Sequence, residues 1–209
     1  MKRILTLSLA ALSTMAVLAA KPQKQLRLQP DNIDDIVAAM TVEEKAHLVV
    51  GADMSDRKAA GEVGYTESII PGAAGVTYPI ERLGIPAIVF ADGPAGLRIE
   101  PRREGDPNTY YCTGFPVGTH MAATWNDEII RRVGESMGNE VREYGVDVLL
   151  GPGINMMRNP LCGRNFEYFS ADPLLAGRTA AAISNGIESN GVGSSLKHFA
   201  ANNQEINRL

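Results

Sequence analysis

Two cysteines, three histidines and one tryptophan are all that 209 residues offer of those types. Cys112 and Cys162 are too few for a four-thiolate zinc site or a disulfide-dense scaffold. H-E-x-x-H is absent, and His47, His120 and His198 stand in unrelated segments, so no metal site is expected. His47 reads as a helix-surface residue and His120 as a satisfied core or loop histidine. There is no G-x-G-x-x-G after a strand, no phosphate-cradling G-x-x-x-x-G-K-[ST] and no G-x-S-x-G nucleophile elbow. Cys162 as a nucleophile lacks an adjacent base. A basic surplus is missing too: 20 Lys and Arg face 24 Asp and Glu, net charge -4, which argues against nucleic acid as a partner.

What is present is apolar material for a core, at 44% hydrophobic and 21% charged. Met1-Lys2-Arg3, the uncharged run Ile4 to Leu18 and the small residues at Val17-Leu18-Ala19 follow the three-part pattern of a secretory signal over residues 1–20. The run is short of the roughly 20 residues that span a bilayer. Export to the periplasm or the exterior is expected, with no membrane segment after cleavage. Loss of Lys2 and Arg3 then takes the net charge from -4 to -6. Export permits a disulfide between Cys112 and Cys162, but nothing in the sequence brings them together, and two free buried thiols are the expectation.

Residues 21–30 read as a loose polar leader. From Asp31 the pattern is that of one folded domain reaching Leu209. Ile33, Ile36 and Val37 fall at helical spacing, and Thr41-Val42-Glu43-Glu44 is a capping box that opens a second helix. Gly51 to Gly75 reads as irregular chain. Ile85 to Ala91 reads as a buried strand ending at Asp92, and Phe115 to Met121 as another short strand. A helix carries Ile129, Ile130, Val133, Met137 and Val141 on one stripe and is closed by Gly145. Val146 to Leu150 is a strand, Pro173 to Asn190 a helix, and Gly193 to Lys197 the start of a further strand. The alternation predicts an α/β fold on a parallel sheet, and without a phosphate-binding glycine loop a barrel is preferred to an open sheet.

In such sheets chemistry collects at the carboxyl ends of the strands. Asp92, the stretch Asn155 to Arg164, and Lys197-His198 all follow strand ends. Asp92 can accept hydrogen bonds from neighbouring hydroxyls or can cap a turn; the spacing alone allows both. Arg98 either orients that carboxylate or is solvated. Arg164 offers a planar fork among aromatics. Lys197 and His198, adjacent at the end of an apolar strand, present groups to opposite faces.

These segments resemble glycoside hydrolase family 3, in particular the multi-domain bacterial β-glucosidases. The resemblance rests on Asp92-Gly93-Pro94-Ala95-Gly96-Leu97-Arg98, Phe115-Pro116, Ala122-Ala123-Thr124-Trp125-Asn126, Gly151-Pro152-Gly153, Asn159 to Glu167 and Lys197 to Glu205, in that order. It implies a (β/α)8-like barrel whose mouth holds the non-reducing sugar of a β-linked glucoside or oligosaccharide. By position it assigns substrate binding to Asp92, Arg98, Arg164, Lys197 and His198. The family is retaining and so needs a carboxylate nucleophile and a carboxylic acid/base. The resemblance puts both beyond Leu209, so these 209 residues are expected to form part of a barrel, incomplete at the C-terminus. They supply the sugar-binding wall, do not turn substrate over alone, and are completed by a C-terminal remainder. No metal or organic cofactor is called for, since two carboxylates suffice. Two other possibilities stand beside this: a non-catalytic carbohydrate-binding fragment, and a β-N-acetylglucosaminidase. The latter fits less well, because Ala200-Ala201-Asn202-Asn203 replaces the Gly- and His-bearing loop of those enzymes.

Overall fold

The computed structural model describes residues 26–51 and 69–208. The export signal expected at 1–20 lies outside the described residues. The leader is described from Leu26 onward, and there it is pinned. The Leu28 N–H donates to the Leu83 carbonyl at 2.7 Å, and the Asn32 side chain bonds Arg27 and Gln29. Two short helices follow, α1 (Ile33–Ala39) and α2 (Val42–Val50). The Thr41 capping box forms in both directions: Thr41 Oγ1 accepts from the Glu44 N–H, and Glu44 accepts from the Thr41 N–H. Ile36 and Met40 bury against Ile80 and Leu83 in a small cluster of their own.

The centre is a four-stranded sheet in the order β1 (Gly75–Val76), β2 (Val89–Asp92), β3 (Val148–Leu150), β4 (Gly193–Ser194). The strands β2, β3 and β4 run parallel, joined by helices as the alternation predicts. The first strand departs from that expectation. It pairs antiparallel to β2, with Gly75 opposite Phe90, because the chain returns through a turn at residues 80–85 with no crossover helix between. Strand β2 starts later than its apolar run, since Ile85 bonds back to Ile80 and Pro86 has no N–H to give a ladder.

The expected strand at Phe115 to Met121 is instead a short helix, α3 (Gly118–Ala122). A seven-residue stretch of mixed character does not fix the period, and tertiary packing decides it. Gly118 lies against the Glu167 carbonyl at a spacing no side chain permits, while Met121 and Ala122 enter the core.

Helices α4 (Asp127–Glu143) and α5 (Pro173–Glu188) are the two crossovers. Asn126 caps α4, accepting from the N–H groups of Glu128 and Ile129, and Gly145, at φ 75°, follows its end. Asp172 caps α5 with Pro173 at its first position. Ile130, Met137 and Val141 bury as the stripe predicts, but Ile129 stays 47% exposed at its edge. The two helices meet through Gly134, Gly138 and Gly186, where an added Cβ would strike the partner's backbone carbonyl.

Alternation along β2 then places the site. Val89 and Ala91 are buried and pack with Leu149, Ile130, Ile183 and Ile187, whereas Phe90 and Asp92 are half-buried on the face away from the helices. Because β2, β3 and β4 are parallel, Asp92, the segment after Leu150 and Lys197-His198 all emerge at one edge.

Candidate functional site

A cleft of about 490 Å³ opens at that edge. Four basic side chains (Arg98, Arg164, Lys197 and Arg208) line it with two carboxylates, Asp92 and Glu167. Of the five residues proposed from sequence, four therefore share one cavity, and His198 is not among the side chains that line it. Lys197 Nζ donates to Asp92 Oδ1 at 2.7 Å, and Arg98 approaches Asp92 Oδ2 at 3.4 Å. Arg98 is 76% exposed, so its hold is loose. The loop returns tightly at this point: the Arg98 N–H donates to the Asp92 carbonyl at 2.9 Å, and Gly93 and Gly96 adopt positive φ where a Cβ would strike backbone.

Burial alone would raise the Asp92 carboxyl. The hydrogen bond and charge of Lys197, with Arg98, outweigh it and hold the group below its ordinary value. Asp92 is thus an ionised acceptor with a cation on each oxygen, at the lining of the cleft.

Arg164 is oriented from behind. Its Nε donates to Glu167, a buried carboxylate three residues on, and stands 4.0 Å from Glu205, which in turn bonds Arg208 at 2.7 Å. Burial opposes the guanidinium charge, but Glu167 prevails and holds its pKa above the usual value.

His198 is held by a separate group. Buried Asn155 accepts from the His198 N–H at 2.8 Å and donates to the His198 carbonyl at 3.2 Å. The His198 Nδ1 stands 3.3 Å from Asn155 Oδ1 and 3.4 Å from the Tyr168 hydroxyl, which accepts from Asn202 at 2.8 Å. Burial first, then the charges of Arg164 and Lys197, push the imidazole below its ordinary pKa, against a smaller pull from Glu167.

Neither Asn155 nor Glu167 was singled out from sequence as a site residue. Glu167 was legible, since an acid three residues after an arginine is a local pair. Asn155 was not, because its partner lies 43 residues away. Cys112 and Cys162 are both free thiols; Cys162 is buried, while Cys112 is only half-buried at the cleft. His120 is exposed on α3, and His47 is exposed on α2 with its ring 4.8 Å from Tyr78.

Comparison with known proteins gives this geometry its relatives. The model of the glycosyl hydrolase family 3 N-terminal domain matches residues 68–206. Thermostable β-glucosidase B of Acetivibrio thermocellus is 43% identical over 182 residues, 85% of this chain and 21% of that protein. An exo-α-(1→6)-L-arabinopyranosidase of Bifidobacterium longum is also 43% identical, over 83% of this chain and 21% of its own length. β-Glucosidase 3B of Thermotoga neapolitana, solved in complex with glucose, superposes with a TM-score of 0.76 at 54% identity, covering 85% of this chain and 24% of that one. The chain thus spans about a fifth to a quarter of the proteins it matches. The sheet and its crossover helices form part of a (β/α)8-type barrel. By the match over residues 68–206, the chain belongs to glycoside hydrolase family 3.

Proposed function

We propose that this chain supplies the sugar-holding wall of a retaining, exo-acting β-glycosidase, with a β-glucoside as substrate. The observation that carries this is the convergence of Asp92, Lys197 and Arg164 on one cleft, with Asp92 ionised between two cations. Neutral sugars bind through directional hydrogen bonds to their hydroxyls, and charged partners make each bond stronger. A carboxylate flanked by ammonium and guanidinium groups offers acceptors and donors side by side, the pattern that vicinal hydroxyls require. Bonds to ring hydroxyls tighten further as positive charge develops at the anomeric carbon, so this wall contributes to rate as well as affinity.

Turnover needs a nucleophilic carboxylate and a second carboxyl that is protonated when the bond breaks. Among the described residues the two acids that line this cleft are both in ion pairs: Asp92 with Lys197 and Arg98, and Glu167 with Arg164. We therefore assign the nucleophile and the acid/base to sequence of the whole enzyme outside these 209 residues, and to the chain itself binding without turnover. Export is part of the same proposal, on the pattern of residues 1–20. Among the described residues no helix is long and apolar enough to cross a membrane.

A panel of aryl glycosides tests the reading on the whole enzyme. The β-D-glucoside is expected to be cleaved fastest, ahead of the α-L-arabinopyranoside and the β-N-acetylglucosaminide. An arabinopyranoside preference would move the substrate class toward that of the Bifidobacterium relative, and no cleavage of any member would leave only a carbohydrate-binding role. Hydrolysis by the 209-residue chain above the buffer blank would refute the assignment of binding alone.

A further inference from the structure

We propose that Asn155 is a positioning residue that fixes the tautomer of His198, placing the ring proton on Nδ1 and leaving Nε2 as a hydrogen-bond acceptor. The inference rests on the sugar-site reading only for its use, not for its geometry.

The orientation of an asparagine amide is normally ambiguous, because its oxygen and nitrogen are alike in shape. Here His198's own backbone removes the ambiguity. A peptide N–H can only donate and a peptide carbonyl can only accept. Asn155 meets both of them on the same residue, at 2.8 and 3.2 Å, so Oδ1 must face the N–H and Nδ2 must face the carbonyl. With the amide fixed this way, the atom 3.3 Å from His198 Nδ1 is Oδ1, which has lone pairs and no proton. A proton on Nδ1 turns this contact into a hydrogen bond, and its absence sets two lone pairs against each other at a part-buried contact. The second neighbour accommodates either form: the Tyr168 hydroxyl, 3.4 Å from Nδ1, can accept a proton or donate one. The choice between the tautomers therefore falls to Asn155, whose fixed oxygen can only accept from the ring.

The consequence is a division of labour between His198 and its cationic neighbours. Lys197 has only protons to offer, and Arg164 likewise, so both donate to hydroxyl oxygens. With its proton turned inward, neutral His198 can only accept at Nε2. His198 is not among the side chains that line the cleft, so this acceptor stands beside the wall of cations rather than in it; a hydroxyl brought to Nε2 can give its proton to the imidazole but receives none from it.

Nitrogen NMR of the chain with labelled histidine reads the tautomer directly, and a separate glucose titration reads the sugar reading on which its use depends. Above the titration of the ring, the His198 pattern is expected to show Nδ1 protonated and Nε2 bare. In Asn155→Leu, which removes the acceptor, the population is expected to move toward the Nε2–H form that imidazole prefers in water. Should that variant not fold, Asn155→Asp keeps an acceptor at the same place and must retain the Nδ1–H form. A wild-type spectrum with the proton on Nε2, an unchanged tautomer in folded Asn155→Leu, or loss of the Nδ1 proton in Asn155→Asp would each overturn the inference. Absence of glucose binding with the expected tautomer would instead fault the sugar reading and leave Asn155's role standing.

Discussion

Asp92 and Lys197, 105 residues apart in the chain, meet at 2.7 Å where strands β2 and β4 end on either side of β3. The contact closes the sheet edge electrostatically and sets the charge pattern of the cleft. Its two ends are not equivalent. Without Lys197, Asp92 keeps Arg98 at 3.4 Å and is a third exposed; without Asp92, Lys197 is 18% exposed and, among the described residues, pairs with no other carboxylate.

Asp92→Asn is therefore expected to destabilise the fold more than Lys197→Met. A double-mutant cycle by chemical denaturation should return a coupling of about 1 kcal/mol, modest because Asp92 is partly solvated. Equal single effects with no coupling would contradict the pairing.

Acid should weaken the fold in two stages. His198 has its pKa depressed in the folded state, so folding favours the neutral ring; stability is full above about pH 6.5, the ordinary histidine value, and declines as pH falls toward the lower folded value. Asp92 is depressed as well, so its contribution is present above about pH 3.9 and is lost only as pH drops through its folded value. Melting temperatures against pH should show the first decline in wild type and a shallower one in His198→Gln.

The close approach of α4 and α5 is expected to be intolerant of a single methyl group. Gly186→Ala brings its Cβ onto the Arg131 carbonyl, and Gly134→Ala does the same to Ile183. Each should cost about 2–3 kcal/mol, the scale of overpacking a filled interface, and lower the melting temperature by circular dichroism. Gly177→Ala on α5, with open space around it, is the control and should be neutral or slightly stabilising.

Glu167→Gln removes the buried carboxylate behind Arg164 and should cost on the order of 2–3 kcal/mol, since a partly buried guanidinium is left with Glu205 alone at 4.0 Å. Adding Arg164→Met to that variant should restore part of the loss. A double variant less stable than Glu167→Gln would mean that the arginine is stabilised by something other than this pair.

Local signals carried most of the fold. The capping box at Thr41, the caps at Asn126 and Asp172, and the stripe through Ile130, Met137 and Val141 are all encoded within a few residues of where they act. What failed was short and decided at a distance. The two-residue β1 has no pattern of its own, and α3 reads as a strand because the contact between Gly118 and Glu167 lies outside any sequence window. The site divides in the same way. Charged residues at strand ends stand out against apolar runs, which is how Asp92, Arg164 and Lys197 were found. Asn155 looks like an ordinary loop residue until His198 is brought to it.

Calorimetric titration of the chain with D-glucose, in wild type and in folded Asp92→Asn, bears most directly on the role of the cleft. Saturable binding to wild type, weakened roughly tenfold or more when the charged acceptor is lost, is the expected result. Equal affinity in the two proteins, or no saturable binding to wild type, would contradict it.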